Sequence, residues 1–407
     1  MKNHIAAAFQ NTVDFELNWD TDILKALIKN YRILQSEIQA DRSIHSERDL
    51  IIILLRHMSE GSGSECLASS SQITRSFASH FSYEITLGGT AVRAAMAIEK
   101  IGYPSTIHAC SLNHHFLRLV PDAVSWVSSV PDEGNDFHPH VIVQYPANIR
   151  ICVNDIDFIT HNPNRVIFAY DPPSMRLEIS TAFAEEITSA DVFLIASYNI
   201  IKDKSILKDR LRKTVSLIHA LPPRHTVIME DGCFKDPGMR QLVTQTLAPQ
   251  IDIFSMNEDE LQDRLGYRID ILNPTDVLTA IQTVYDKLQV PTLICHSSHW
   301  ALSYGSQSPA IKNALKSGIC MAATRFQFGD NYGKEHYNKA RHLPASAKGT
   351  AFCEALLKLP ASKPLYILPA KDLSFVARPF TIGLGDAFIG GMLPGLLPEA
   401  VLKNAYI

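Results

Sequence analysis

Apolar and polar positions follow two rhythms along the chain. Residues 5–9 form a short continuous apolar run, the pattern of a buried strand, and lead into the polar group Gln10-Asn11-Thr12-Val13-Asp14. Over 20–59, apolar side chains such as Ile23, Leu24, Leu27 and Ile28 recur every three to four positions among charges, which predicts helix. Gly61-Ser62-Gly63-Ser64 reads as a loop. From about 83 to 112 the pattern is a β-turn-α-β unit: a strand at 84–87, the pair Gly88-Gly89, an Ala-rich helix closed by Gly102, and a strand at 105–110. Between about 113 and 160, short alternating runs at 141–145 and 149–153 predict antiparallel strands. Strand candidates at 166–169, 192–196, 226–229, 251–255 and 292–295 then alternate with helical stretches, as in a largely parallel sheet covered by helices. The expected class is α/β, with a core from 1–15, 88–112 and 161–407 and a smaller α+β lid domain from 16–87 and 113–160.

Composition narrows the function classes. The 407 residues are 46% hydrophobic and 20% charged, enough for a large core. Lys and Arg number 38 against 42 Asp and Glu, a formal net charge of -4, which argues against a nucleic-acid partner held by clustered cations. The 7 cysteines are scattered and never spaced as CxxC, so neither a disulfide framework nor a zinc site is expected, and a cytoplasmic setting fits best. The apolar start ends at Gln10, too short for a signal segment, and no apolar run is long enough to span a membrane. His114-His115 and His138-Pro139-His140 read as loop histidines rather than a metal site.

The densest chemistry lies at 381–391. Gly383 and Gly385 let the backbone approach a ligand, and the helix opening at Leu384 offers N–H groups without intrahelical partners, an anion cradle. Asp386 in such a cradle repels a phosphate, so it reads as a base for an attacking hydroxyl; the alternative is a plain helix cap. Neither GxGxxG nor GxxxxGK[ST] occurs, which disfavours dinucleotide oxidoreductases and Walker-type ATPases. Asn257 and Glu260, three apart after a strand, suit the water shell of a magnesium ion, or else an acidic first turn complementing the helix dipole. Glu230 and Asp231 end another strand and offer two more carboxylates.

Taken in order, these segments resemble the ADP-dependent glucokinase/phosphofructokinase family, which has the ribokinase-like fold. The resemblance rests on Asn11 with Asp14, on Glu84 before Gly88-Gly89, on His140 opening a strand, and on Asn164-Arg165-Val166-Ile167. It continues through Asn257 with Glu260, His296 with Ala301-Leu302, and Gly383-Leu384-Gly385-Asp386. It implies Asp386 as catalytic base and the backbone at Gly383, Leu384 and Gly385 as the anion hole of the nucleotide site. It also implies Glu260 with Asn257, supported by Glu230, as the magnesium shell, and Asn11, Asp14, Glu84, Gly88, Gly89 and His140 around the sugar. Arg165 would approach the phosphates and His296 would border the nucleotide. Three positions depart from the family pattern: Ile228 stands where His is common, Thr90 where an amide is, and Gln144 where Glu is. The function expected is an ADP-dependent sugar kinase of carbohydrate metabolism, with Mg2+ as cofactor and a hexose or hexose phosphate as acceptor. The alternatives are an ATP-dependent ribokinase-type sugar or nucleoside kinase and a non-catalytic sugar or nucleotide sensor of the same fold.

Overall fold

The computed structural model describes residues 4–39 and 42–398; residues 1–3 and 399–407, which the sequence pattern assigns to the core, lie outside them. Among the described residues the larger sheet has nine strands. At its heart is β1 (Ile5–Ala8), with β5 (Ser105–His108) and β6 (Val124–Val127) on one side. On the other side follow β11 (Val192–Ile195), β12 (Thr226–Glu230), β13 (Ile253–Asn257) and β14 (Thr292–His296), all parallel. β15 (Trp300–Gly305) and β16 (Leu365–Pro369) close the far edge as antiparallel strands. Successive side chains of these strands enter two different cores: Ile5, Ala7, Val192, Leu194 and Ile228 on one face, Ala6, Ala8, Phe193, Ile195, Val227 and Met229 on the other. Burial on both faces is what a helix-covered parallel sheet requires, and it explains the uninterrupted apolar runs.

The smaller sheet has the order β3 (Ser64–Leu67), β10 (Asn164–Ala169), β7 (His140–Tyr145), β2 (Thr12–Leu17), β4 (Tyr83–Gly88). β8 (Arg150–Val153) and β9 (Ile156–Ile159) pair as a separate hairpin. Here the alternation is half-buried. Val13, Phe15, Leu17, Val141, Val143, Tyr145, Val166 and Phe168 are buried together in one core. The strand registers bring Thr12, Asp14 and Glu16, Glu84 and Thr86, His140 and Gln144, and Arg165 onto the opposite face, because side chains repeat every second residue.

The structure shifts several boundaries. The sequence pattern ends the first core segment at residue 15 and places 166–169 in the parallel sheet; instead β2 and β10 belong to the smaller sheet. β6, expected in the lid, is the edge strand of the larger one. The unit at 84–110 does not form a parallel pair. β4 runs antiparallel to β2, whereas β5 runs parallel to β1, so the intervening helix Thr90–Glu99 links the two sheets. β7 is antiparallel to β10 but parallel to β2. An apolar or alternating run predicts a strand without specifying which sheet accepts it. Among the described residues no helix is long and apolar enough to cross a membrane.

Candidate active site

After β16 the chain runs irregularly to Gly383, whose φ of +66° is left-handed and favours glycine. Gly383 caps the helix Leu384–Met392, in which the Ala387 N–H donates to the Gly383 carbonyl at 2.9 Å. The N–H groups of Leu384, Gly385 and Asp386 are therefore left without intrahelical acceptors, and no side chain caps them. Unpaired N–H groups at a left-handed turn are the geometry that an anion cradle requires. The Asp386 carboxylate, 24% exposed, lies in the first turn of this helix, whose N-cap is Gly383 and not Asp386.

One side chain ties this turn to the smaller sheet. Arg93, on the Thr90–Glu99 helix and only 7% exposed, donates from Nη2 to Asp14 Oδ2 at 2.9 Å and to Glu16 Oε1 at 3.1 Å. Its Nε lies 3.9 Å from Asp386 Oδ2. Burial disfavours the charged guanidinium, but Asp14, Glu16, Asp386 and Asp330 outweigh it and raise the pKa. Asp14 also accepts from Thr12 Oγ1 at 2.7 Å. A β-carbon at position 88 would collide with the Asp14 carboxylate and the Thr12 hydroxyl, so Gly88 makes room for both. Gly89, at φ +90°, starts the helix hard against the Gln10 carbonyl.

The carboxyl ends of β12, β13 and β14 bring a second group together. His296 Nε2 lies 3.2 Å from Glu230 Oε1, and its ring packs on Phe388 with 4.4 Å between centroids. A β-carbon at Gly385 would find His296 Cε1 at 3.7 Å, so His296 joins the anion cradle to the strand-end carboxylates. Glu260 has its pKa raised well above the ordinary value by burial and by the charges of Asp231 and Glu230. Asp231 is paired to Arg264 Nε at 2.5 Å, yet its Oδ1 and the Glu230 Oε2 are buried without partners. Asn257, expected in the metal shell and nucleotide site, uses its side-chain oxygen at a helix start. Its Oδ1 accepts from the N–H groups of Asp259 and Glu260 at 2.8 and 2.9 Å, while Glu260 Oε2 accepts from its own N–H, forming a capping box. Ile228, at the position where the family commonly has His, is fully buried in the core.

The remaining candidates divide. Asn11 is engaged with the chain: Oδ1 accepts from the N–H groups of Cys110 and Ser111 at 2.7 and 3.1 Å, and Nδ2 donates to the Ser111 carbonyl at 2.7 Å. His140 is likewise engaged, its Nε2 3.0 Å from Asp171 Oδ2; the pair raises the histidine to about 9 against the opposing effect of burial. Glu84 and Arg165 are exposed, and among the described residues neither has an ion-pair partner. Arg165 stands opposite Gln144, which accepts a hydrogen bond from Thr381 Oγ1 at 2.8 Å, so this corner of the smaller sheet reaches the cradle.

Sequence reasoning missed Arg93, Glu16 and Arg325, and gave Thr381 no role of its own within the 381–391 run. Arg325 Nε donates to the Ile382 carbonyl at 2.6 Å and is ion-paired to Asp330. Arg93 left a signal: it is the single charge in the run Thr-Ala-Val-Arg-Ala-Ala-Met-Ala-Ile that precedes Glu99 at the end of its helix.

A family model described as the ADP-specific phosphofructokinase/glucokinase conserved region matches residues 3–324. Among solved structures, a phosphofructokinase from Pyrococcus horikoshii OT3 with AMP is 18% identical, with a TM-score of 0.75 over 99% of this chain and 100% of that one. An ADP-dependent kinase in complex with fructose-6-phosphate and ADPβS is 16% identical, with a TM-score of 0.80 over 97% of this chain and 94% of that one. At such identities the likeness shows the fold alone. No curated protein matches the sequence. Asp386 lies beyond the matched segment, so its role rests on the geometry above.

Proposed function

Because the chain belongs to the ADP-specific phosphofructokinase/glucokinase family, we propose that it transfers the β-phosphoryl group of ADP to a hydroxyl of a hexose or hexose phosphate, with Mg2+ as cofactor. The observation that supports this most is the meeting of segments around 14, 93 and 386 at one guanidinium, which sets a carboxylate beside an anion cradle and opposite the polar face of the smaller sheet.

Asp386 accepts the proton of the attacking hydroxyl. The free N–H groups of Leu384 and Gly385 stabilise the charge that grows on the transferred group. Asp14 and Glu84 face the acceptor's hydroxyls, and Arg165 faces the phosphates. The Thr381–Gln144 contact holds the smaller sheet over the cradle and limits the entry of water, which would hydrolyse the nucleotide. On this face Asp14 and Glu16 are paired to Arg93 and His140 to Asp171, which leaves the exposed Glu84 as the unpaired carboxylate, and its charge favours an uncharged hexose over a phosphate beside it.

The strand-end carboxylates fit a hydrated divalent ion. Two buried oxygens, on Glu230 and Asp231, are orphaned, and the negative charge crowded around Glu260 is what a cation would relieve. Among the described residues no three His, Cys, Asp or Glu side chains are arranged to bind a metal directly. Glu230 and Glu260 would hold it; Asn257 would not. When bound, magnesium supplies charge neutralisation to the nucleotide's phosphates. The test is a panel of hexoses, hexose phosphates and nucleosides with ADP or ATP at equal magnesium. Phosphorylation of a hexose with ADP is expected; faster turnover with ATP, or a nucleoside acceptor, would overturn the reading.

A further inference from the structure

Arg93 is more than a salt-bridge partner in this arrangement. Its guanidinium addresses three groups along three directions: Nη2 towards Asp14 and Glu16 on β2, Nε towards Asp386, and Nη1 towards the back of Gly383. A β-carbon at 383 would lie 3.0 Å from Arg93 Nη1 and 3.1 Å from Arg325 Nε, so two cations stand directly behind the turn that carries the cradle. Arg325 is fixed there by its bond to the Ile382 carbonyl and its pairing with Asp330. Arg93 Nη1 is buried and has no hydrogen-bond partner. A buried donor on a charged group without a hydrogen-bond partner is costly, so the surrounding structure holds this guanidinium in place against that cost.

We propose that Arg93 is a positioning residue for phosphoryl transfer: one rigid guanidinium fixes the acceptor-facing strand β2 relative to Asp386 and braces the Gly383 turn. The proposal rests on the reading of Asp386 as base. Arginine suits the task because its planar fork holds several directions at once, whereas lysine offers one flexible point charge. Placing the hydroxyl and its base correctly matters because a misplacement of about 1 Å can reduce turnover ~100-fold. Nothing in this role requires Arg93 to grip the nucleotide, so the affinity for ADP should be nearly independent of it.

The experiment compares Arg93→Met, Arg93→Lys and Arg93→Ala, the last with and without added guanidinium chloride at millimolar concentration. Arg93→Met is expected to lower kcat ~100-fold with KM for ADP changed less than about threefold. Arg93→Lys should remain nearly as slow, because it keeps the charge but not the three directions. Guanidinium should restore part of the lost kcat to Arg93→Ala and none to Asp386→Asn, an effect that a general loss of packing would not produce. If Arg93→Met fails to fold because Asp14 and Glu16 are left uncompensated, the same substitution in a Glu16→Gln background and the lysine variant carry the comparison. Wild-type kcat in the lysine and methionine variants, or a loss confined to stability and KM for ADP without guanidinium rescue, overturns the proposal. Should Asp386→Asn itself retain activity, the base assignment fails, and that result is distinct from normal turnover in Arg93 variants beside an inactive Asp386→Asn.

Discussion

Gly383 and Gly385 stand two residues apart, yet the structure gives them different reasons to be glycine, and alanine at each position separates those reasons. At 383 the backbone is left-handed at φ +66°, and the new β-carbon would press on Arg93 Nη1 at 3.0 Å and Arg325 Nε at 3.1 Å. The conformational penalty for an L side chain in that region is ~1–2 kcal/mol, and crowding two arginines raises it to about 2–3 kcal/mol. At 385 the backbone is helical and the new methyl group meets only His296 Cε1 at 3.7 Å, an ordinary contact. Replacing glycine there should stabilise the helix by ~0.5–1 kcal/mol. If phosphate oxygens approach the N–H groups of this turn, that same methyl group stands in their path, and kcat should fall ~100-fold or more, as when an oxyanion donor is lost. Equilibrium urea unfolding and the ADP-dependent phosphorylation assay are run on both variants. Gly383→Ala is expected to lose stability and activity together; Gly385→Ala is expected to be at least as stable as wild type and nearly inactive. Wild-type kcat/KM in Gly385→Ala would show that no ligand approaches this turn, and would remove the anion cradle from the mechanism.

Three further outcomes follow from the same geometry. Asp386→Ala should reduce phosphoryl transfer by ~100-fold or more while ADP binding, followed by calorimetry, stays near wild type, because a general base contributes ~10²–10⁴-fold to rate and little to nucleotide affinity. Glu260→Gln should raise the magnesium concentration for half-maximal activity yet increase Tm in chelator, since burial and the neighbouring Asp231 and Glu230 make its charge unfavourable without a cation; an unchanged magnesium requirement removes Glu260 from the metal site. His140→Gln tests the buried pair with Asp171. The folded-state pKa of His140 is raised to about 9 from an ordinary 6.5, so its stabilising contribution is complete below about pH 6.5 and lost as pH rises through about 9. Asp171 is lowered from 3.8, so its share is present above that value and lost as pH falls through its folded pKa. The wild-type advantage in unfolding free energy should therefore be greatest near pH 5–6 and shrink towards pH 9; a pH-independent difference refutes the pairing.

Local pattern carried a large part of this protein. The apolar runs at β1, β11, β12, β13 and β14 were legible because a strand buried on both faces needs no alternation. The turn before Asp386 was legible because left-handed backbone and unpaired N–H groups are properties of a few consecutive residues. Tertiary structure alone decided which sheet each strand joined, since β2 and β10 obey the same periodicity whichever neighbours they find. It also decided which polar residues were spoken for. Asn11 and Asn257 look like ligand contacts in sequence, but their side chains satisfy backbone N–H groups that a buried chain reversal or helix start would otherwise leave unpaired. Arg93 is the converse case: a charge within an Ala-rich helix signals a partner without naming it, and its importance comes from Asp14, Glu16, Asp386 and Gly383 arriving from distant parts of the chain. Periodicity and turn chemistry act between near neighbours and can be read from the order of residues, whereas the partner of a buried charge is fixed only when the sheets and helices have packed.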